Sequence, residues 1–564
     1  MLTIGVLTAP ITWLFGPLVS YNIALILAFP ASALAAYVCS VRLGMPHWAG
    51  FAAGLMYGYS PFFIAHSVGH LNLVVGAVPP LTVVLFNEVV IRQKMRTPVA
   101  ALLVAGLIVT AVFTYEETVA LIAILALLGV LVLGVFLGRP SALRLRYSVR
   151  VFLLSAAFAS VLLAYPLVIQ FKGPWRLSGF QFDPSLYVAD LLNFIVPTQV
   201  QWLAPDPLLV IAQRFGPNYA EQTAYLGLPL LVALSSAYVV LRSSIRVRVL
   251  ALLSVCTAVL SMGPWLTVGG RKTAIPLPWL ALQQLPLIND IFPGRLGEWV
   301  ALFVALAFGA CLSLASRRMI AMLLVSLIPL VPAQPVVFRP VPVVPTALRE
   351  ISSGSMLAIL PWQTSLNYES ALWQAMSDFR FRTEEGPASY GPFGPPGMMA
   401  LTAEIVQGSG IKLTADRPLK ALLAGQLAHD HVDMVVASAD LPKDQTSFWT
   451  EAFGQPTARV DALVWRPATL AVYARDAWPD GWVAPGSTIE TFATPVNLSL
   501  ESMVVLDLYV NQESTRLTPN AISVVRLPAY SRVGVGAPSV DLGGRLVSVR
   551  IVDVAPIDDR LGSQ

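Results

Sequence analysis

The sequence predicts an α-helical polytopic membrane bundle of about ten spans, followed by an extracytoplasmic α/β domain and a mostly β module. Three observations lead to this fold class. Up to residue 335 the chain contains long uncharged stretches, such as Ala100–Val112 and Leu121–Leu137, within apolar runs of about 17–25 residues, the length that crosses a bilayer. Clusters of Arg and Lys separate the runs at every second connection. After Pro335, short stretches of alternating apolar residues replace the long runs.

The composition excludes several classes of protein. Only 12% of the residues are charged, against about 25% in soluble globular proteins, and the mean hydropathy is +0.69. The net charge is +4, and the Arg and Lys residues of the membrane half lie between apolar runs. They therefore indicate membrane topology and not a nucleic-acid surface. All three cysteines fall inside apolar runs, which argues against a disulfide framework.

Basic connections fix the predicted orientation of the spans. The spans cover residues 18–40, 48–65, 71–90, 97–113, 118–137, 150–170, 223–241, 249–265, 298–316 and 319–335. The clustered bases are Arg42; Arg92, Lys94 and Arg96; Arg139, Arg144, Arg146 and Arg150; Arg242, Arg246 and Arg248; and Arg317 with Arg318. Short basic loops stay in the cytosol. We therefore expect a multi-pass protein of the plasma membrane. In its membrane half, every acid except Glu88 is expected at or beyond the outer face.

The same rule places the amino terminus outside, with no translocation signal before the first span. One hypothesis explains this: an earlier span and its outer loop are missing from the sequence, as a misassigned start codon would cause.

The part after residue 335 is predicted to be extracytoplasmic. A proline-rich linker, 332–345, leads into it. Strands and helices then alternate to about residue 467, and mostly strands follow. The predicted domains are a membrane domain at 1–335, an α/β domain at 336–467 and a β-rich module at 468–564.

Two histidines are the first candidates for a binding site. His66 and His70 stand four residues apart at the outer end of a span, which puts both rings on one face if the segment is helical. The pair could bind a metal, hydrogen-bond a polar or phosphate ligand, or pack in an interface. No adjacent glutamate completes a zinc-protease motif.

Two adjacent glutamates occupy a very short outer turn. Glu116 and Glu117 cannot share a helical face, so at most one points into the bundle. They either form a solvated turn or bind a sugar hydroxyl, a divalent cation or a base from an outer loop.

Two further outer residues are candidates. Asp190 lies in a long loop whose apolar content suggests a helix at the membrane interface, where its role is either structural or part of a lid over a site. Arg295 precedes a span from outside, where topology does not require a base. Its guanidinium suits bidentate phosphate recognition, or a salt bridge to Asp290 or Glu298.

The membrane half resembles the bacterial polytopic GT-C glycosyltransferases, particularly the actinobacterial type with an extracytoplasmic C-terminal domain. The stretches that carry the resemblance are FGPLVSYNIALILAFPASALAAY, YGYSPFFIAHSVGHLNL, the PPL at 79–81, the helix with Tyr115–Glu117, DLLNFIVPT, EQTAYLGLPLL, LSMGPWLTVGG and LPLINDIFPGRLGEW.

This resemblance implies transfer of a sugar from a polyprenyl-phosphate donor to an extracytoplasmic glycan or lipid acceptor, with membrane lipids as partners and no nucleic acid. Arg295 and the histidines would hold phosphate, and a glutamate would hold sugar hydroxyls or a cation.

The chain departs from the family at one point. The family's catalytic carboxylate belongs to a first outer loop, but no Asp or Glu occurs before Glu88. Either the sequence is truncated, or the protein is inactive, or another acid serves as the base. A transporter or flippase of lipid-linked glycans and a non-catalytic cell-envelope scaffold are the alternatives.

Overall fold

The structure is a computed structural model, and it consists of two compact units, Met1–Arg339 and Pro340–Gln564, called here the first and second unit. It describes residues 1–115, 117–138, 142–173, 187–216, 219–285, 288, 291–333, 341, 343–349, 351–362, 369–383, 399, 402–403, 406–407, 420, 423, 427, 432–458 and 461–466, and the backbone of eight strands between 482 and 556.

The first unit is mostly helical. Its helices are α1 Leu2–Arg42, α2 His47–Gly58, α3 Pro61–His66, α4 Leu71–Val74, α5 Val78–Phe86, α6 Thr97–Thr114, α7 Glu117–Leu137, α8 Ala142–Lys172, α9 Asp206–Ala212, α10 Leu228–Leu241, α11 Ile245–Ser261, α12 Trp279–Leu282, α13 Gly297–Leu314 and α14 Arg317–Val325. A π-helix, Asn87–Arg92, continues α5. The hairpin of β1 Trp265–Val268 and β2 Arg271–Pro276 is antiparallel.

Six helical segments in the described part are long and apolar enough to cross a membrane. They are Leu2–Arg42, Leu71–Arg92, Thr97–Thr114, Glu117–Leu137, Leu143–Lys172 and Pro293–Leu314. The chain is thus a membrane protein with several spanning helices. Four predicted spans form shorter helices, so the count of ten stays a prediction. The difference is largest at 319–335, where α14 has only 9 residues.

α1 extends well before its predicted start at residue 18. It is kinked at Gly16, whose φ of 81° and ψ of 169° are not helical. Glycine tolerates a positive φ because it has no Cβ, and Pro17 cannot donate a helical hydrogen bond. Residues 2–15 therefore form a helical segment of their own before the kink.

Small residues bring α1 and α2 into close contact. A Cβ placed on Gly54 would lie 2.5 Å from the backbone oxygen of Ala33, and one on Gly58 would lie 2.6 Å from the Ala33 Cβ. Such contacts are typical of membrane helices, in which small residues allow backbones to approach. Any larger side chain at these glycines would separate the two helices.

The basic connections contact one another at one end of the bundle. Arg246 Nη1 donates to the Gly44 carbonyl oxygen at 3.1 Å. Gln93 Nε2 donates to the Arg144 carbonyl oxygen at 3.0 Å. Residues of different predicted cytosolic connections therefore meet at this end, which we call the basic end.

The lengths of two helices give the distance from the basic end to the opposite end of the bundle. α6 starts after Arg96 and ends next to Tyr115, and α13 starts after Arg295 and ends before Arg317. Each helix has 18 residues, which is about 27 Å of rise. Tyr115 and Arg295 therefore lie roughly one membrane thickness from the basic end. That the basic end faces the cytosol stays a prediction.

The described residues of the second unit form three sheets. The strands are β3 Met356–Leu360, β4 Arg382–Thr383, β5 Met434–Ser438, β6 Thr457–Ala458, β7 Ala462–Trp465, β8 Trp482–Val483, β9 Thr488–Ile489, β10 Val496–Ser502, β11 Leu506–Val510, β12 Glu513–Leu517, β13 Ile522–Leu527, β14 Val533–Val535 and β15 Val549–Pro556. The helices are α15 Thr346–Arg349, α16 Glu369–Met376 and α17 Lys443–Phe453.

The first sheet is mixed and has the order β4-β3-β5-β7-β6. Its β3 is parallel to β4 and β5, and β7 is antiparallel to β5. Leu357 and Ile359 belong to one buried cluster, and Ala358 and Leu360 to another. Since successive side chains of a strand point to opposite faces, both faces of this sheet are covered.

Two four-stranded sheets follow, in the orders β13-β10-β15-β8 and β12-β11-β14-β9. All their pairings are antiparallel. The boundaries at 335 and 467 stay predictions.

Candidate functional site

Three separate segments meet at the end of the bundle opposite the basic end. His66 is the last residue of α3, a short helix that starts with Pro61 in its first turn, where the missing N–H of proline costs nothing. Glu221 ends the 3₁₀ helix Tyr219–Glu221. Arg295 lies in the 3₁₀ helix Pro293–Leu296, which leads into α13.

These three side chains form a buried cluster, which we call the Arg295 cluster. Arg295 Nη1 lies 2.9 Å from His66 Nε2, and Arg295 Nη2 lies 2.9 Å from Glu221 Oε1. Glu221 Oε2 lies 3.6 Å from His66 Nε2. The exposed fractions of the side chains are 0% for His66, 8% for Glu221 and 7% for Arg295. Two charges with this little exposure need each other, because an unpaired charge at such a position is costly.

The tautomer of His66 follows from its two partners. A guanidinium can only donate, so His66 Nε2 accepts from Arg295. His66 Nδ1 lies 2.8 Å from the Phe62 carbonyl oxygen, which can only accept. The proton of the neutral ring is therefore on Nδ1, and both ring nitrogens are satisfied.

Aromatic rings surround the guanidinium. Its Cζ lies 5.9 Å from the ring centroid of Tyr115 and 5.7 Å from that of Phe292. Phe292 in turn stacks on Tyr187 at 4.3 Å, and the Tyr187 carbonyl oxygen accepts from the Gly294 N–H at 2.8 Å. The segment that carries Arg295 is therefore anchored on both sides of Pro293, and the arginine is held in one orientation.

Glu221 is ionised at neutral pH. Burial by itself raises the pKa of its carboxyl, but the positive charge of Arg295, whose Nη2 lies 2.9 Å from Oε1, outweighs that effect and holds the pKa below its usual value. The Arg295–Glu221 pair is therefore a permanent ion pair in the physiological range.

His70 lies beside the cluster. Its ring centroid is 5.7 Å from that of His66, with an interplanar angle of 68°. The two rings are close as predicted, but α3 ends at His66 and α4 begins after His70, so a turn and not one helical face brings them together. His70 is half-buried, and its side chain makes no hydrogen bond to another described residue.

Neutral His70 is expected to stabilise the fold. Burial first, and then neighbouring His66 and the charge of Arg295, lower its pKa from 6.5 to about 4, although Glu221 acts in the opposite direction. A folded pKa below the unfolded one gives a contribution that is present above pH 6.5 and lost as the pH falls towards 4. We expect the unfolding temperature to fall over this window, by the equivalent of roughly 1–2 kcal/mol after allowance for partial exposure.

Thermal unfolding in detergent at several pH values measures this dependence, and in His70→Gln its slope should decrease. His47→Gln is the matched control, because His47 lies near the basic end, where its Nδ1 is 2.7 Å from Tyr37 Oη. Equal slopes in wild type and His70→Gln would contradict the prediction.

Asp190, another predicted site residue, has a structural role in this fold. Its Oδ1 accepts from the N–H groups of Leu192 and Gly269, at 2.8 and 3.0 Å, and its Oδ2 accepts from the Gly270 N–H at 2.7 Å. Gly269 and Gly270 form the turn of the β1–β2 hairpin and have positive φ. The carboxylate therefore caps a turn, as the structural alternative expected, and its role in a substrate site stays a prediction.

Of the two predicted glutamates, the structure describes only Glu117. Glu116 lies outside the described residues. Glu117 begins α7 and is half-buried. Their binding roles stay predictions.

Among the described residues, Arg295 forms its ion pair with Glu221 and not with Glu298. Asp290, the other partner that the sequence suggested, lies outside the described residues. Sequence reasoning placed Glu221 at the outer face without giving it a role. Its position in EQTAYLGLPLL, just before α10, indicates the outer face. Nothing in that motif indicates that its partner is Arg295, 74 residues later in the chain.

No metal centre emerges from the described residues: among them, no group of three His, Cys, Asp or Glu side chains is arranged to hold an ion. The divalent cation considered for the glutamates stays a prediction.

Comparison with known proteins shows a weak similarity to a solved structure. No protein-family model matches the chain, and no curated protein sequence matches it. A cryo-EM structure of the arabinofuranosyltransferase AftD from Mycobacteria, in a mutant form, is similar over 92% of this chain and 35% of that chain, with 15% sequence identity and a TM-score of 0.42. The chain thus spans about a third of the length of that protein, and the likeness is too low to establish a common fold.

Proposed function

We propose that the chain is an integral-membrane glycosyltransferase that moves a sugar from a polyprenyl-phosphate donor to an extracytoplasmic glycan or lipid acceptor. The observation that carries the proposal is the Arg295 cluster. It is a buried, pre-oriented cation with an unused donor at the end of the membrane helices.

The depth of the cluster suits a lipid phosphate. α13 rises about 27 Å from Arg295 to the basic end, and the hydrocarbon core of a bilayer is about 30 Å thick. Arg295 therefore lies near the level of the lipid headgroups. A polyprenyl phosphate can reach this level while its chain stays in the membrane, whereas a soluble nucleotide sugar would have to enter from water.

The chemistry of the cluster suits a phosphate oxygen. Arg295 uses one N–H on each of Nη1 and Nη2, so three of its five N–H groups remain. Among them, Nε is buried and has no acceptor among the described residues. A buried donor without a partner is costly, and a ligand oxygen would remove that cost. Neutral His70 supplies a further hydrogen-bonding group beside it.

His66 and Glu221 have a different task in this proposal. Glu221 neutralises Arg295 and, with His66, fixes the plane of the guanidinium. The cluster then binds phosphate through directed hydrogen bonds and modest charge. This favours release of the polyprenyl phosphate after transfer, because an unpaired arginine would retain the more highly charged product.

The orientation of the protein is part of the proposal. The basic end is cytosolic, the Arg295 cluster faces outside, and the second unit is extracytoplasmic. The sequence resemblance to GT-C glycosyltransferases supports the same reaction class.

Reconstitution of the full chain tests the function. Purified protein in nanodiscs is titrated with decaprenyl phosphate, and proteoliposomes receive a panel of radiolabelled decaprenyl-phosphate sugars together with a cell-envelope glycan acceptor. Binding of decaprenyl phosphate and transfer of at least one sugar are expected. Binding with movement of the donor across the bilayer but no transfer would favour a flippase, and neither binding nor transfer would favour a scaffold.

A further inference from the structure

A second carboxylate lies close to the Arg295 cluster. Glu298 is in the first turn of α13, three residues after Arg295. Its Oε1 lies 3.3 Å from the hydroxyl oxygen of Tyr57, which is fully buried on α2. Glu298 is half-buried, whereas its neighbours Gly297 and Trp299 are buried. Its other oxygen, Oε2, accepts no hydrogen bond from the described residues, so part of the carboxyl is open to a ligand.

Tyr57 can serve this carboxyl in both of its protonation states. The Tyr57 hydroxyl lies 2.8 Å from the Gly76 carbonyl oxygen and has one proton to donate. When Glu298 is ionised, Tyr57 can turn that proton towards Oε1. When Glu298 is protonated, Glu298 can donate to the Tyr57 oxygen while Tyr57 donates to Gly76. The Tyr57 hydroxyl therefore keeps a hydrogen-bond partner whether Glu298 is ionised or protonated.

The Glu298 and Arg295 sites share one wall. Tyr57 packs edge-on against Phe63 at 5.0 Å, and Phe63 packs against Phe62 at 5.5 Å. Phe62 in turn lies 4.3 Å from the His66 ring. Gly76 closes the wall, because a Cβ there would lie 2.2 Å from the Phe63 ring and 3.0 Å from Glu298 Oε1. A donor phosphate on Arg295 would therefore have Glu298 one helical turn away.

The other acids described in the first unit fit the role of a base less well. They are Glu88, Glu117, Asp190, Asp206 and Glu221. Glu88 pairs with Arg92 at 3.0 Å near the basic end. Asp190 and Glu221 already accept from the hairpin turn and from Arg295. Asp206 is exposed at the start of α9. Glu117, which lies near Tyr115, is the competing residue, and the experiment includes it.

We infer that Glu298 is the general base that accepts the proton of the acceptor hydroxyl, an inference that rests on the proposed function. As the acceptor oxygen bonds to the anomeric carbon, the bond from that carbon to the phosphate oxygen breaks, and its electron pair leaves with the polyprenyl phosphate. The hydroxyl proton passes to Glu298 Oε2 and is later released to water.

The test separates binding from turnover. Glu298→Gln keeps an oxygen for Tyr57 but cannot accept a proton. Transfer from the best decaprenyl-phosphate sugar is expected to fall by about 10²–10⁴-fold, the usual contribution of a general base, while the affinity for decaprenyl phosphate stays near that of wild type. Glu298→Asp, which keeps a base in a displaced position, should recover part of the rate. Asp206→Asn is the matched control and should transfer at the wild-type rate.

Two outcomes count against the inference, and they differ. If wild type transfers sugar and Glu298→Gln stays within about tenfold of it, the inference fails and the proposed function stands; a large loss in Glu117→Gln would then move the base to that residue. If wild type transfers no sugar from any donor in the panel, the proposed function fails and the inference fails with it.

Discussion

Replacing Arg295 by alanine is expected to abolish measurable binding of decaprenyl phosphate and to destabilise the first unit. The arginine supplies the charge and the free N–H groups of the cluster, and a hydrogen bond to a charged group contributes about 1.5–3 kcal/mol. The loss of a single such bond weakens binding at least about tenfold. Removal of Arg295 also leaves ionised Glu221, with 8% exposure, without its ion-pair partner. Breaking a buried pair in this way costs about 3–5 kcal/mol.

A matched double variant separates the two effects. In Arg295→Met/Glu221→Leu both charges are replaced by apolar side chains, and such replacements are often neutral or stabilising. The double variant should therefore unfold at a higher temperature than Arg295→Ala while still failing to bind. Arg295→Lys keeps the charge but not the planar geometry, so weak binding is expected. Wild-type affinity in the double variant would remove Arg295 from the donor site.

Replacing Gly54 by valine is expected to prevent assembly of the first unit. The first added carbon would lie 2.5 Å from the backbone oxygen of Ala33 and 3.1 Å from the Cβ of Tyr37. Neither atom is the end of a flexible side chain, so α1 and α2 would have to separate. Overpacking costs about 1–3 kcal/mol where neighbours can shift, and a backbone oxygen in a packed helix shifts little. Most of the protein should aggregate or unfold during extraction.

Gly106→Val provides the control for this experiment. Gly106 lies on α6, is exposed, and has nothing within 4 Å of an added Cβ. Both variants place the same β-branched residue in a membrane helix, so their difference isolates the contact with Ala33. Size-exclusion chromatography in detergent should give a monodisperse peak for Gly106→Val and little or none for Gly54→Val. Similar profiles would mean that the close approach of α1 and α2 is not required for folding.

The location of the site follows largely from the sequence, but the contacts between its side chains do not. The basic loops alone place His66 and Arg295 at the same end of the bundle. The four-residue spacing brings His66 and His70 near each other, although through a turn. Asp190, in contrast, is a candidate site residue by its position at the outer face, but in the structure it caps a hairpin turn. A carboxylate at a membrane surface can serve either purpose, and only its hydrogen-bond donors distinguish them.

Apolar run length, the sign of the charges in the connections and period-2 alternation determine the membrane unit, its two ends and the sheets that follow. These properties are local. Each depends on the free energy of moving one segment into or across the membrane, or on which face of one strand is apolar. The pairing of Arg295 with Glu221, the tautomer of His66 and the contact of Glu298 with Tyr57 were decided only by tertiary structure. Each joins residues 74 to 241 positions apart. Several acids and bases lie at the same membrane face and have similar local sequence patterns, so only the packing of the helices determines which of them meet.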